Sequence, residues 1–218
     1  MDKDFVKILV AQLRKPTGEF GLEVAANMNV CNREMNLSAI DALNIQTGET
    51  ILEIGFGNGL FAKDVLNVAA GVRYIGCDYA TEMVKAASIN NRELTTRGAA
   101  NFLEARIEQM PLHSYSVNKI FTVNTLYFWD DLDAAFEEMK RLLIAGGLLA
   151  IAFRPESCLR QYPASNFGFT HFSSVQVENL LNEYGFTVQQ VIHETEPETE
   201  ILGRIVLPEY VVVVGRFD

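Results

Sequence analysis

The apolar positions of this chain follow two alternating rhythms. Short runs rich in β-branched residues stand at 50–54, 72–77, 120–123 and 148–153, and the longer stretches between them, 60–69, 82–95 and 132–143, carry apolar residues at helical spacing. Strands that are apolar in both directions, separated by amphipathic helices, predict a parallel sheet covered by helices on both faces. A weaker run at 101–105 supplies a further strand. The last third changes character, because the runs at 188–192 and 210–214 follow one another without a helical pattern between them. They predict an antiparallel pair at one edge. The expected fold class is therefore α/β, a doubly wound, mostly parallel seven-stranded sheet with an antiparallel edge strand.

Residues 1–45 precede the first strand and read as helices at 5–13 and 20–28, broken at Pro16 and Gly18, followed by a short helix from an N-cap at Ser38 to Leu43. This segment is too short for a domain of its own. It is expected as an N-terminal helical lid over one end of the sheet, where open α/β sheets bind ligands, within the same domain as 46–218. The alternating carboxylates of 193–200 lack a ligand geometry and are expected as a solvated hairpin loop.

With 218 residues, 49% apolar and 21% charged, the chain has the material for one domain with a sizeable core. Eighteen Lys and Arg against 28 Asp and Glu give a net charge of −10, and no basic stripe opposes that mean field, so nucleic acid is not an expected partner. The longest apolar run, 142–153, is 12 residues with two glycines, short of a membrane span. The acidic start at Met1-Asp2-Lys3-Asp4 lacks the pattern of a secretory leader. Cys31, Cys77 and Cys158 are widely spaced with no Cys-x-x-Cys pair, and read as buried thiols in a reducing cytoplasm. No His, Cys or acidic cluster has metal-ligand spacing, so no metal is expected.

The sharpest motif is Ile51-Leu52-Glu53-Ile54-Gly55-Phe56-Gly57-Asn58-Gly59-Leu60, an apolar strand that enters three alternate glycines and then opens a helix. Glycines at 55, 57 and 59 let the main chain lie against a ligand where side chains would stand in the way. The next strand ends in Asp78, an acid able to accept two hydrogen bonds from the vicinal hydroxyls of a ribose. An adenosine compound is the expected ligand. A dinucleotide turn would set its third glycine one residue later, where Leu60 stands, and Glu53 would repel a pyrophosphate but attract an ammonium. A ligand with a zwitterionic amino-acid tail fits better.

These residues resemble the class I S-adenosylmethionine-dependent methyltransferases, in particular their small-molecule type 11 branch, over roughly residues 47–151. The resemblance implies S-adenosylmethionine as cofactor, with 53–59 against its methionine part, Asp78 on the ribose, and Tyr79 and Met83 flanking the adenine. It also matches 104–112 to the loop along the adenine edge, with the backbone amide of Ile107 as a contact, and Asn124 and Leu126 to the end of the fourth strand. Three departures stand out: Arg106 occupies a usually acidic position, Lys119 one that is commonly aspartate, and Ala145 one that is commonly proline. Methyl transfer from a sulfonium needs alignment and exclusion of water more than it needs a base, so catalytic residues need not be visible. Around the fourth strand, Tyr127 and Trp129 are expected to wall a substrate pocket or to pack in the core. His171 and Tyr127 are the catalytic candidates. Arg154, directly after the fifth strand, is placed to bind a substrate carboxylate or phosphate, or to form a rim salt bridge. The expected partner is a small-molecule acceptor, with a second copy of the chain admitted as a homodimer partner. Two rivals stay open, an NAD-dependent oxidoreductase on the related fold and a catalytically silent nucleoside-binding protein.

Overall fold

The computed structural model describes residues 3–201 and 203–218. The chain begins with helices α1 (Lys3–Arg14), α2 (Gly18–Cys31) and α3 (Arg33–Ala42). Strand β1 (Thr50–Ile54) is followed by α4 (Ala62–Leu66), β2 (Arg73–Asp78), α5 (Thr81–Asn90), α6 (Arg92–Thr96), β3 (Ala100–Glu104) and β4 (Val117–Val123). After a 3-10 turn at Leu126–Phe128 come α7 (Leu132–Leu142), β5 (Leu143–Phe153), α8 (Glu156–Leu159), a 3-10 turn at Pro163–Asn166 and α9 (Ser174–Glu183). Strands β6 (Phe186–Thr195), β7 (Thr199–Ile201), β8 (Arg204–Val206) and β9 (Glu209–Phe217) complete the described chain.

One sheet of seven strands runs in the order β3-β2-β1-β4-β5-β9-β6, and β7 with β8 forms a separate two-stranded ribbon. Strands β3, β2, β1, β4 and β5 pair in parallel, whereas β9 is antiparallel to both β5 and β6. The expected α/β class and antiparallel edge are present, with the last strand inserted between β5 and β6. All five residues of β1 are buried, as a strand covered on both faces must be. Alternate side chains feed two cores. Leu52, Ile54 and Ile120 pack with α7 and α9 residues such as Phe136 and Val177, while Ile51, Phe121 and Ala150 pack with Met35 and Ile40 of α3.

Local chemistry sets the helices. Asp131 caps α7 by accepting from the Ala134 amide at 3.0 Å, and the helix buries Ala135, Phe136, Met139 and Leu142 at helical spacing. Ser173 and Gln176 form a reciprocal capping box at the start of α9. The helix expected over 82–95 breaks at Asn91, whose buried amide donates to the carbonyls of Gly59 (2.9 Å) and Ala87 (3.0 Å). Ser38 is not an N-cap. It lies inside α3, which begins directly after Asn32 and lays Met35, Ala39 and Ile40 on the sheet. Of the first 45 residues, therefore, α3 belongs to a core layer, and only α1 and α2 lie at the carboxyl edge of the strands. There α2 places Ala25 against Ala80 and Met83, and α1 places Val6 and Val10 against Ala164, Phe167 and Phe169. Cys31, at the end of α2, is exposed rather than buried.

Candidate active site

The order of strands reverses at β1, with β2 and β3 on one side and β4 and β5 on the other. In a doubly wound sheet, ligands bind in the crevice beyond the carboxyl ends of the strands at this reversal. Here the chain leaves β1 through a turn pinned to β2, the Gly55 amide donating to the Cys77 carbonyl at 2.7 Å. Gly55, Gly57 and Gly59 all have positive φ, at 74°, 59° and 73°. The reasons for the three glycines differ. A methyl group at Gly55 would collide with Cγ2 of Thr125, and one at Gly59 would lie 2.7 Å from Ala87 Cβ and 2.9 Å from Asn91 Nδ2. Only at Gly57 is nothing within 4 Å. The expectation that a ligand dictates all three glycines is thus corrected: Gly55 is required by β4's loop and Gly59 by α5, and Gly57 alone faces open space.

Asp78 braces that open turn from β2. Its Oδ2 accepts from the Gly57 amide at 3.1 Å and its Oδ1 from the Ala80 amide at 2.8 Å. Burial pushes its carboxyl up to about 6, with the two amides pulling in the opposite direction. Glu53 is 3% exposed and accepts a hydrogen bond from the Tyr74 hydroxyl at 2.6 Å. Burial raises it to about 7 despite that bond, and the neighbouring Asp78 charge adds to the rise. Two buried carboxylates with a single hydroxyl and two amides for partners favour further hydroxyl and ammonium donors. Beside them, the amide oxygen of Asn58 is buried with no partner.

The adenine-side candidates also come together. Met83 is fully buried against Ala25 and Ala80. Tyr79 is half-buried and donates its hydroxyl to the Arg14 carbonyl at 2.6 Å, under the loop that joins α1 to α2. Lys15 Nζ lies 5.0 Å and Arg106 Cζ 5.7 Å from the centre of its ring. Arg106 binds Glu108 (3.1 Å) and Asp130 (3.2 Å), and Asp130 also pairs with Arg14. The departure at Arg106 is therefore part of a chain of charges that joins the loops after β3 and β4 to the end of α1. Ile107, next in the chain, is buried in the larger core.

On the β4 side, Asn124 sits in the left-handed region at φ 57° and Leu126 is buried. Tyr127 is buried; its hydroxyl donates to Asn124 Oδ1 at 2.7 Å and accepts from the Arg154 amide. Burial lifts the phenol far above its ordinary range, so it stays protonated and is no base. Trp129 donates from Nε1 to Thr125 Oγ1 at 3.1 Å and packs edge-on against Phe136, the core alternative of its two expected roles. His171 is half-buried with Nε2 3.0 Å from the Ser165 carbonyl, so that nitrogen carries the hydrogen and has no free lone pair for a substrate proton. Arg154 does not stand free for a substrate anion. Its guanidinium is buried and bound to Glu196 at 2.8 Å, to the Cys31 carbonyl at 3.0 Å and to the Glu209 carbonyl at 3.3 Å. Glu196, placed by sequence in a solvated loop, is the half-buried partner. Sequence reasoning missed this pair, and also Tyr74 and Asn91, because each acts through a partner distant in the chain. An open groove of about 420 Å³ lies farther along the same edge, lined by residues such as Ser157, Arg160, Ser173 and His193 and by none of the glycine turn.

Residues 52–151 match the family described as a methyltransferase domain. The chain is 31% identical over 124 residues to the uncharacterized methyltransferase YdaC of Bacillus subtilis (strain 168), covering 57% of this chain and 66% of that protein. It is 24% identical over 178 residues to an O-methyltransferase of Pyrenophora dematioidea, covering 76% of this chain and 64% of the relative. The chain thus spans about two thirds of the length of these curated relatives. A solved SAM-dependent methyltransferase from Aquifex aeolicus superposes with a TM-score of 0.69 at 19% identity, over 89% of this chain and 97% of that one, which establishes the shared fold.

Proposed function

We propose, from the premise that residues 52–151 of this chain are a methyltransferase domain of the class I, S-adenosylmethionine-dependent family, that the chain transfers the methyl group of S-adenosylmethionine to a small-molecule acceptor. When bound, that cofactor supplies a methyl carbon already activated by a positive sulfur. The residues present fit it. Gly57 offers a main-chain surface with no side chain, where an added Cβ would meet no atom within 4 Å, and its amide is held by the buried carboxylate of Asp78, with the buried Glu53 on the preceding strand. Asp78 would accept from the ribose hydroxyls, and Glu53 and the turn 55–59 would face the amino-acid part. Tyr79, Met83 and Ile107 would enclose the adenine, with Asn124 and Leu126 at the β4 edge.

What the chain contributes is alignment. An in-line displacement between two held partners gains up to about 7–11 kcal/mol from orientation and avoided solvent reorganisation. Tyr127 is committed to structural hydrogen bonds and acts by holding Asn124, and the Nε2 of His171 is committed to the Ser165 carbonyl. The acceptor's own lone pair is then the nucleophile, and its proton leaves to solvent once the new bond forms. The small-molecule reading draws its support from the family and from relatives named as O-methyltransferases. Among the described residues no helix is long and apolar enough to cross a membrane.

The observation that carries the proposal is the open, left-handed Gly57 braced by Asp78. Calorimetric titration of S-adenosylhomocysteine tests it. Heat of binding in the wild type that disappears in Asp78→Ala is expected. Absence of binding in the wild type refutes the cofactor assignment.

A further inference from the structure

Arg154 is a charged residue placed where the fold gains least from it. A buried ion pair contributes little more to stability than an apolar pair of similar size, because both charges are stripped of water. What a guanidinium offers is a rigid fork of five donors that can join several elements at once. Arg154 uses it that way. Nη2 holds the Cys31 carbonyl at the end of α2, and Nη1 holds Glu196, just after β6, and the Glu209 carbonyl at the start of β9.

Its backbone closes a ring. The Arg154 amide donates to the Tyr127 hydroxyl, which donates to Asn124 Oδ1; Asn124 Nδ2 donates to Asn32 Oδ1 at 3.0 Å, and Asn32 follows Cys31. The ring therefore runs from the corner between α2 and α3, through the end of β4, to the end of β5 and back to the corner. Asn124 is the member of it held in the left-handed region, where a non-glycine residue persists only if its surroundings fix it.

We propose that Arg154 is a positioning residue of the crevice. Paired with Glu196, it clamps the corner between α2 and α3 onto the carboxyl ends of β4 and β5 and so fixes Asn124 at the mouth of the site. Burial acts against the guanidinium's charge, and Glu196 together with the neighbouring Tyr162 and Cys158 outweighs it, so the clamp draws on a residue 42 positions away in the chain. The part of the proposal that concerns ligand affinity rests on the cofactor reading above.

Glu196→Gln tests it, since it removes the counter-charge while keeping the side chain's size. Two quantities are read at 25 °C in wild type and variant: hydrogen exchange of the amides of 28–36, and the Kd for S-adenosylhomocysteine. Exchange in 28–36 is expected to speed up, affinity to weaken about fivefold or more, and Glu196→Asp to recover part of both. A folded Glu196→Gln protein with wild-type exchange at 28–36 and wild-type affinity overturns the proposal, even if it melts earlier, because the pair then only holds the fold together. If Glu196→Gln does not fold, Tyr127→Phe cuts the link to Asn124 and leaves the ion pair intact. Faster exchange and weaker affinity in that variant support the clamp, and wild-type values of both overturn it. Wild-type protein that fails to bind S-adenosylhomocysteine refutes the cofactor reading alone, and exchange at 28–36 then decides the clamp.

Discussion

Acidification should loosen the hold on S-adenosylhomocysteine while making the unliganded fold more stable. Burial raises Asp78 from 3.8 to about 6 and Glu53 from 4.5 to about 7. A carboxyl with a raised folded-state pKa adds stability that is fully present below its ordinary pKa, and that is lost as pH rises through the folded value. For Asp78 a rise of about two units is worth about 3 kcal/mol, given back on protonation. Ligand binding asks for the opposite state, because only the ionised carboxylate is free of its own proton and can accept fully from hydroxyls and an ammonium. The ionised fraction of Asp78 falls from nearly all at pH 8 to about one in eleven at pH 5, which weakens affinity about tenfold. If Glu53 must also be ionised, the combined loss over the same range approaches about a thousandfold. Calorimetry from pH 8 to 5 measures the slope, and repetition in two buffers of different ionisation heat counts the protons released on binding. The melting temperature of the free protein should rise between pH 7.5 and 5. Flat affinity across this range refutes the reasoning, as does affinity that falls in step with the melting temperature.

Three substitutions probe the rest of the crevice. Gly57→Ala should fold, at a cost of about 1–2 kcal/mol for its left-handed φ, and should bind S-adenosylhomocysteine at least tenfold more weakly, whereas Gly59→Ala should lower the melting temperature more, because its methyl meets Ala87 and Asn91. Normal binding by a folded Gly57→Ala protein removes the turn from the site. Asp130→Asn breaks the chain of charges from Arg14 to Arg106 above Tyr79, so stopped-flow release of S-adenosylhomocysteine should accelerate severalfold and lose its dependence on salt. Release that is indifferent to both salt and Asp130 shows that this network does not bear on the ligand.

How much of this was legible in the sequence depended on how far apart the cooperating residues lie. Strands β1 to β5 could be read because a strand buried on both faces tolerates few polar residues, and the turn after β1 because strand, glycines and helix are contiguous. The meaning of each glycine was not contiguous. Gly55 answers to Thr125 and Gly59 to Ala87, Asn91 and Phe102, so a motif that reads as one ligand-shaped bend is two packing constraints around a single open position. Helix boundaries failed for the same reason: Asn91 interrupts an otherwise helical stretch because its side chain is needed at Gly59, and α3 begins before Ser38 because Met35 and Ala39 are needed on the sheet.

The same contrast divides the candidate site into two halves. Its cofactor half is assembled mainly from β1, β2 and the turns that follow them, within about thirty residues of one another. Local sequence is then enough, since each side chain's neighbours are set by the strand it ends. The flanking segments, α1, the turn at Pro163–Asn166 and the stretch after β6, are tied down by contacts between distant parts of the chain: Val6 and Val10 meet Ala164, Phe167 and Phe169, and Arg154 meets Glu196. Each of those residues has an ordinary surface or core reading on its own. An arginine after a strand reads as an anion ligand until a glutamate from another segment neutralises it. Acceptor choice in this fold should accordingly track changes in α1, in 155–173 and in 195–208 rather than changes in the glycine turn. Exchanging those three segments against those of a related methyltransferase while leaving 50–59 and 78 untouched should change which acceptor is methylated and leave the Kd for S-adenosylhomocysteine within a few fold. A chimera that keeps its acceptor but loses the nucleoside would reverse this division of labour.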